Sequence, residues 1–204
     1  ERVTVEENVR AGLLSFETHP HTIRDQLCRI RTGRSFNDLD DVTRGKVLES
    51  LDARFRIVHR TFDGPGHQLG WLETMVRTLA VRDNCKLIVV DPWNELEHLP
   101  EPGESMTNYI NFALQRIRQL AEQYDVHIAL VAHPKKINGD GPPRAPIGYD
   151  VADSAAFFNK PSLGFTVHGA KTESGTKYVE LKTWKVRDTQ LYGIGKGTSD
   201  ANFD

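Results

Sequence analysis

Apolar runs typical of buried strands alternate with amphipathic helical patterns along the first two thirds of the chain. The strand-like runs occupy residues 11–16, 55–58, 86–91 and 127–133, and helical patterns cover residues 20–33, 46–53, 69–79 and 109–124. Such alternation is typical of strands that are joined by crossover helices. It predicts an α/β fold in three layers, with a mainly parallel sheet covered by helices on both faces.

The last third of the chain changes to alternating polar and apolar residues. Residues 164–168 and 177–186 fit two strands, and the turn-forming residues at 172–175 suit a hairpin between them. We expect these antiparallel strands to flank the parallel sheet. Between the two regions, the stretch at 134–149 is rich in Pro, Gly and Lys and is too long for a plain connector, and such loops are often functional.

Length and composition are those of an ordinary globular domain. The chain has 204 residues, of which 38% are hydrophobic and 26% are charged, so we expect one domain over residues 1–204. The first residue is Glu1 rather than Met, and the chain ends in a Gly-rich tail. We therefore expect the domain to be truncated at the N-terminus and also at the C-terminus.

Charge and cysteine content narrow the class of protein further. The formal net charge of −2 gives no overall basic field, so contact with nucleic acid requires a local patch or copies arranged in a ring. Cys28 and Cys85 show no metal-ligand spacing, and no apolar run approaches the length of a membrane span. These features predict a reduced, cytoplasmic protein without a membrane partner.

Three polar residues follow apolar runs, where an open parallel sheet carries its chemistry. Asp91 suits the binding of a magnesium ion through water, and Glu17 suits the activation of an attacking water. His133 could contact a terminal phosphate. Each has a structural alternative, because strand-end carboxylates often cap loops or helix N-termini and a single histidine is more often a hydrogen-bonded structural residue.

Five short segments appear in a fixed order along the chain. They are Ser-Phe-Glu at 15–17, Asp-Pro-Trp-Asn-Glu at 91–95, Ala-His-Pro-Lys at 132–135, Phe-Phe-Asn-Lys at 157–160 and Lys-Val-Arg at 185–187. Together they resemble the RecA-like ATPase core of hexameric replicative DNA helicases, and within that family the phage-type primase-helicases and Twinkle-like helicases. The resemblance spans residues 11–192 and implies an ATP-dependent helicase in a bacterial or phage-infected cell.

The resemblance also implies roles for catalytic residues, with ATP and Mg²⁺ as cofactors. Asp91 is similar to the Walker B aspartate that positions magnesium, and Glu17 to the catalytic glutamate. His133 is similar to the switch residue that couples phosphate state to DNA. Lys185 and Arg187 resemble a lysine and an arginine finger that reach the nucleotide of a neighbouring subunit. Without the resemblance, the last two would be solvated residues of an edge strand.

The loop at 134–153 corresponds to the DNA-binding loop of the central channel in this family. The implied contacts to single-stranded DNA are Lys135, Lys136 and Arg144, with Asn159 and Lys160 nearby in sequence. A homohexameric ring would repeat these charges around one channel, which would compensate for the nearly neutral chain. The alternative is a loop without a binding function, whose charged side chains only contact solvent.

The sequence departs from the family pattern in lacking the glycine-rich motif that binds phosphates. No Gly-x-x-x-x-Gly-Lys-Ser/Thr motif occurs, and the Gly-Ile-Gly-Lys-Gly-Thr stretch at 193–198 has the wrong spacing and follows a terminal strand. We expect no ATP hydrolysis by these 204 residues alone. A catalytically inactive RecA-like module for nucleic-acid binding or ring assembly stays open, as does a recombinase-type or regulatory RecA-like ATPase. A dinucleotide-dependent oxidoreductase is poorly supported, since no glycine fingerprint follows the first strand.

Overall fold

The computed structural model describes residues 4, 6, 8–59, 68–135, 144–151, 155–171, 175 and 177–192. The chain divides into two compact units. Unit 1 comprises residues 1–99 and 116–132, and unit 2 comprises residues 100–115 and 133–204. The expectation of a single domain stays a prediction.

Unit 1 contains a four-stranded sheet in which all paired strands are parallel. Its strands are β1 (Arg10–Ser15), β2 (Phe55–His59), β3 (Cys85–Asp91) and β4 (His127–Leu130), in the order β2-β1-β3-β4. The chain therefore moves from β1 to one side for β2 and then crosses to the other side for β3. This reversal next to β1 is the feature that positions the candidate site.

The helices follow the amphipathic patterns, with shifted boundaries. They are α1 (Pro20–Thr32), α2 (Asp41–Arg54), α3 (Leu69–Arg77) with a π-helical continuation (Thr78–Arg82), α4 (Met106–Tyr124), α5 (Ala156–Asn159) and α6 (Thr189–Tyr192). Short 3-10 turns lie at Phe36–Asp38, Trp93–Glu95 and Gly148–Asp150. None of the helices in the described ranges is long and apolar enough to cross a membrane.

Two helix termini show how local sequence sets these boundaries. α1 begins with Pro20 at its first position and ends at Gly33, whose φ of 73° provides the left-handed conformation that favours glycine. α2 begins five residues before the predicted start at 46, because the side chain of Asp40 accepts a hydrogen bond from the N–H of Thr43 at 2.9 Å. The first turn of α2 has Val42 as its single apolar residue, and Val42 is exposed, so the apolar pattern alone did not reveal this turn.

The core of unit 1 lies on both faces of the sheet. Leu14 of β1 and Ile88 and Val90 of β3 are fully buried, as expected of central parallel strands. One buried cluster joins the sheet to the first two helices; its members are Ala11, Ile23, Leu27, Cys28, Leu39, Val47, Leu51 and Phe55. The apolar run at 127–133 forms a shorter strand than predicted, although the N–H of Val131 still donates to the carbonyl oxygen of Val90 at 2.9 Å.

Unit 2 contains the antiparallel pair β5 (Leu163–Lys171) and β6 (Lys177–Val186), which pairs from Leu163 opposite Val186 to Lys171 opposite Lys177 with a register shift between Gly164 and Phe165. The predicted antiparallel strands are thus confirmed. Within the described residues they pair with each other in a two-stranded sheet. Their alternating pattern predicts pairing with each other and carries no information about a third strand. The predicted turn at 172–175 lies mostly outside the described residues.

Candidate functional site

Two carboxylates lie at the carboxyl edge of the unit 1 sheet. Asp91 is the last residue of β3, and Glu17 follows the end of β1 by two residues. β1 and β3 are neighbours, and the direction of chain connections reverses between them. Ligands of open parallel sheets bind in the crevice at such a reversal, because the loops on either side separate there. The order of the strands therefore places both predicted residues at the edge where folds of this kind usually bind their ligands.

Main-chain hydrogen bonds fix the two strand ends to each other. Ser15 lies opposite Asp91 in the β1–β3 register, and the N–H of Phe16 donates to the carbonyl oxygen of Asp91 at 3.0 Å. The pairing thus continues to the residue directly before Glu17. The main-chain segments that carry Glu17 and Asp91 are therefore fixed at the same edge of the sheet.

Ser15 is a residue of this site that the sequence reasoning missed. Its side chain is only 4% exposed, and its hydroxyl donates to the carbonyl oxygen of Thr18 at 3.0 Å while accepting from the N–H of Thr18 at 3.3 Å. The turn that these bonds close contains Glu17. The signal available in the sequence was a hydroxyl residue three positions before Thr18, a spacing at which serine side chains often bond to the backbone.

Histidines also lie at this edge and were not predicted. The Nδ1 atom of His59, the last residue of β2, is 3.1 Å from the carbonyl oxygen of Ser15. Its ring centroid is 5.3 Å from that of His19, which in turn stacks on His21 at 5.0 Å. His19 and His21 lie two positions apart at the start of α1, whereas His59 comes from β2, so no local sequence pattern could have grouped His59 with the other two.

The donor atoms at this edge suit magnesium better than a transition metal. In the described part of the chain, no three His, Cys, Asp or Glu side chains are grouped so that they could hold a metal by themselves. Magnesium is usually held by one or two carboxylates together with water and substrate phosphates, and it prefers hard oxygen ligands. Asp91, half-buried at the strand end, and the exposed Glu17 provide such oxygens. The residues present therefore fit this ion.

In unit 2, the two cations predicted to act at a neighbouring subunit lie against one end of α5. The Nζ atom of Lys185 donates to the carbonyl oxygens of Phe158 at 2.5 Å and Asn159 at 2.7 Å. The guanidinium of Arg187 donates to the carbonyl oxygens of Asn159 at 2.9 Å and Lys160 at 3.2 Å. The predicted finger residues are therefore in direct contact with two predicted DNA contacts, a proximity that the sequence did not indicate.

The described ends of the predicted DNA loop meet at Asp150. The N–H of Lys135 donates to the main-chain oxygen of Asp150 at 2.8 Å, and the guanidinium of Arg144 binds both carboxylate oxygens at 2.7 Å. The hydrogen bond from Arg144 holds the pKa of Asp150 below its ordinary value, although partial burial opposes the shift. Arg144 thus helps to fix the base of the loop. Lys136 lies outside the described residues.

The predicted site residues therefore fall into separate groups. Glu17 and Asp91 lie together in unit 1, whereas Lys185 and Arg187 lie with Asn159 and Lys160 in unit 2. The side chain of Lys160 also reaches Gln115 at 3.1 Å. His133 is an exposed residue of unit 2. The catalytic and DNA-binding roles of all these residues stay predictions.

The parallel sheet, its helices and the separate antiparallel pair define a RecA-like fold of the kind found in helicase ATPase domains. A family model described as an AAA domain matches residues 1–139, and the chain belongs to this family. The expected resemblance to replicative helicase cores is confirmed. The chain is 32% identical over 130 residues to the Twinkle homolog protein, chloroplastic/mitochondrial, of Arabidopsis thaliana, a match that covers 62% of this chain and 18% of that protein.

Two solved structures have the same fold at low sequence identity. One is an ATPase domain, which superposes with a TM-score of 0.64 and 18% identity, covering 90% of this chain and 69% of that one. The other is a DnaB-like replicative helicase, solved in a study of its interactions with primase; it superposes with a TM-score of 0.66 and 16% identity, covering 90% of this chain and 46% of that one. The chain spans about a fifth of the length of the curated Twinkle homolog that it matches.

Proposed function

We propose that this chain is the motor domain of an ATP-dependent DNA helicase, which hydrolyses ATP at subunit interfaces and translocates on single-stranded DNA. The observation that carries the proposal is the placement of Glu17 and Asp91 on the two adjoining strand ends between which the connections reverse. A nucleotide bound in that crevice has its phosphates beside two carboxylates. The family membership and the fold support the same class of function.

The chemistry of the proposed site divides between the two carboxylates. Asp91 would hold Mg²⁺, and the ion would neutralise charge on the phosphate oxygens. Glu17 orients the attacking water and accepts its proton as the water oxygen bonds to the terminal phosphorus and the bond from that phosphorus to the bridging oxygen breaks, which releases ADP. Ser15 keeps Glu17 in place through the turn to Thr18. His133 is proposed to couple the presence of the terminal phosphate to the conformation of the DNA loop that begins at Pro134.

Lys185 and Arg187 are proposed to complete the site of the neighbouring subunit. Arg187 is exposed and directly follows β6; its guanidinium donates to the carbonyl oxygens of Asn159 and Lys160 and carries further N–H donors in a fixed fork. A cation that arrives at the developing phosphate charge stabilises the transition state, and an arginine of this kind contributes roughly 10³-fold or more to kcat. Hydrolysis would then require assembly, for which a homohexameric ring is the proposed form.

Single-stranded DNA is the proposed track. Lys135, Arg144, Asn159 and Lys160 contribute polar and positive groups near the base of the loop, and Lys136 adds another charge in sequence. Contacts of this type to phosphates fix a strand in position without reading its sequence. The compartment in which the protein acts stays a prediction; the name chloroplastic/mitochondrial belongs to the Arabidopsis relative alone.

The test is ATP hydrolysis by the protein at its full natural length, with and without single-stranded DNA. We expect DNA-stimulated hydrolysis that Glu17→Gln and Asp91→Asn each reduce by at least a hundredfold, while the matched control Glu49→Gln, on the exposed face of α2, keeps full activity. Single-stranded DNA binding without hydrolysis would contradict the motor and favour the inactive binding module. Hydrolysis that DNA does not change would favour a regulatory ATPase.

Mixing two inactive variants tests the proposed shared site. In rings assembled from Glu17→Gln and Arg187→Ala subunits together, some interfaces combine the intact Glu17 of one subunit with the intact Arg187 of its neighbour. We expect partial recovery of hydrolysis on mixing, because those interfaces are complete. If each variant stays inactive in the mixture although mixed rings form, Arg187 does not act at a neighbouring site.

A further inference from the structure

Three aromatic rings form a stack in unit 2 that the proposed function does not yet use. Tyr149 stacks on Phe158 with ring centroids 4.1 Å apart and planes at 13°, and Phe158 stacks on Trp184 at 5.4 Å and 23°. The ammonium of Lys185 lies 5.5 Å from the centroid of the Phe158 ring. The rings come from the turn at 148–150, from α5 and from β6. We call these three residues the aromatic stack.

The inner end of the aromatic stack is fixed by hydrogen bonds and close packing. The indole N–H of Trp184 donates to the hydroxyl oxygen of Thr166 at 3.1 Å, and that hydroxyl donates to the carbonyl oxygen of Pro146 at 2.6 Å. Glycines leave room for the indole ring. A Cβ atom at Gly148 would come within 2.7 Å of it, and one at Gly164 would overlap it. The stack is therefore a rigid support whose outermost ring is Tyr149.

Tyr149 is the solvent-facing end of the stack. Its side chain is 53% exposed, although one face of its ring is covered by Phe158. The stacking on Phe158 restricts the motion of this ring. A planar partner could therefore bind its open face with little further loss of conformational entropy. Tyr178 of β6, with a similar exposure of 48%, has no such support from another ring among the described contacts.

Two basic residues are hydrogen-bonded to Asp150, the residue that follows Tyr149. The neighbouring residue Asp150 joins Lys135 through its main-chain oxygen and Arg144 through its carboxylate. The carboxylate of Asp150 is paired with Arg144 and also accepts from the N–H of Ile147 at 2.8 Å, and the side chain of Lys135 is exposed. A flat aromatic surface beside cations matches a nucleotide, whose base is planar and whose phosphate is negative.

We propose that Tyr149 is a stacking platform for one base of the single strand. The proposal rests on the proposed function and deepens it, because it gives the DNA loop a contact to bases in addition to phosphates. Stacking of this kind tolerates any base, since every base presents a flat π face. It would stop the strand from slipping between translocation steps without imposing sequence preference.

The test compares two labelled oligonucleotides that carry the same number of phosphates, one of thymidines and one of abasic sites. Binding to the protein at its full natural length is measured by fluorescence anisotropy at fixed salt concentration. We expect Tyr149→Leu to weaken thymidine-strand binding roughly tenfold and to leave abasic-strand binding unchanged. Tyr149→Phe keeps the ring and should bind as the wild type does. Tyr178→Leu is the matched control and should have no effect.

The outcomes separate this inference from the proposed function. If the wild type binds neither strand, single-stranded DNA is not the track and both proposals fail. If the wild type binds the thymidine strand and Tyr149→Leu binds it equally well, or weakens both strands alike, the platform is wrong while the DNA track stands. A nucleobase could also come from ATP. A Tyr149→Leu variant that loses affinity for a non-hydrolysable ATP analogue but not for the thymidine strand would overturn the assignment to DNA.

Discussion

The hydroxyl of Ser15 and the main chain of Thr18 are joined in both directions: the hydroxyl donates to the Thr18 carbonyl oxygen at 3.0 Å and accepts from the Thr18 N–H at 3.3 Å. The turn between them presents Glu17 from the end of a buried strand. A buried serine that satisfies two backbone groups of one turn restricts the conformations available to that turn. The position of Glu17 therefore depends on the side chain of Ser15, which has no catalytic role of its own in the proposed site.

Replacing Ser15 should consequently change catalysis more than binding. We expect Ser15→Ala to lower kcat for DNA-stimulated ATP hydrolysis by roughly tenfold, because small displacements of a catalytic group are costly, with little change in KM for ATP. Ser15→Thr retains the hydroxyl and should recover much of the rate. Thr74→Ala removes a hydroxyl bonded to the carbonyl oxygen of Gly70 within α3 and is the control. Equal losses in kcat and substrate affinity would indicate a general structural defect instead.

Burial makes a specific prediction for Cys85, the first residue of β3. The side chain is fully buried, and burial raises the pKa of this thiol to about 11, with the charge of Asp83 adding to the effect. Below that pH the thiol stays protonated, and only the thiolate reacts readily. We expect alkylation of Cys85 at pH 8 to be at least roughly a hundredfold slower in the native protein than in denaturant. Peptide mapping by mass spectrometry measures it, and equal rates would contradict the buried placement.

The sequence was sufficient to predict the central elements and the two catalytic candidates of unit 1. Continuous apolar runs identify β1 and β3 because both faces of a central parallel strand are buried. Since the carboxyl ends of parallel strands share one edge, Glu17 and Asp91 could be expected at the same edge. The order of the strands could not be predicted from the sequence, because strand pairing depends on packing between residues that are far apart along the chain.

The features that the sequence did not reveal depend on contacts between distant residues. Tyr149 and Trp184 belong to one stack only because Phe158 lies between them, and no periodic pattern connects the three. Lys185 and Arg187 were predicted as a lysine and an arginine finger for a neighbouring subunit, and the sequence did not indicate that both contact carbonyl oxygens at the end of α5. Such side-chain-to-backbone contacts have no signature in composition or spacing, since any exposed carbonyl can accept them.

Asp25 provides a pH-dependent test of the segment after α1. Its carboxylate accepts from Arg29 at 2.7 Å, from the hydroxyl of Ser35 at 2.7 Å and from the N–H of Phe36 at 2.7 Å. The bond from Arg29 and then those from Phe36 and Ser35 lower its pKa from 3.8 to about 2. A carboxylate with a depressed pKa stabilises the folded state above its unfolded pKa, and this contribution is lost as the pH falls through the folded pKa.

The measurement for Asp25 is Tm as a function of pH for the wild type and Asp25→Asn. We expect the variant to melt at a lower temperature at pH 7, with a difference that is constant down to about pH 4 and shrinks between about pH 4 and pH 2. Asp52→Asn changes an exposed carboxylate on α2 and serves as the control. A difference for Asp25→Asn that stays constant to pH 2 would show that the carboxylate is not held by these three donors.

Two glycines with opposite surroundings test the packing of the aromatic stack. At Gly148, an added Cβ would lie 2.7 Å from the Trp184 ring and 2.9 Å from the main-chain Cα of Phe158, so at least one rigid neighbour must move. We expect Gly148→Ala to destabilise the protein by about 1–3 kcal/mol, as overpacked sites usually do. At Gly45, within α2, an added Cβ meets nothing within 4 Å. Gly45→Ala should therefore stabilise the protein by about 0.4–1 kcal/mol through the lower entropy of the unfolded chain.

The opposite signs of these two changes make the comparison decisive, because both variants introduce the same methyl group. Thermal unfolding gives the change in stability, and the fluorescence of Trp184 reports whether the stack itself is disturbed. Gly148→Ala should alter that fluorescence in the native protein, since the methyl group presses on the indole ring, whereas Gly45→Ala should leave it unchanged. A Gly148→Ala protein with wild-type stability and emission would mean that the indole ring does not lie over Gly148, and the rigid support inferred for Tyr149 would then be lost as well.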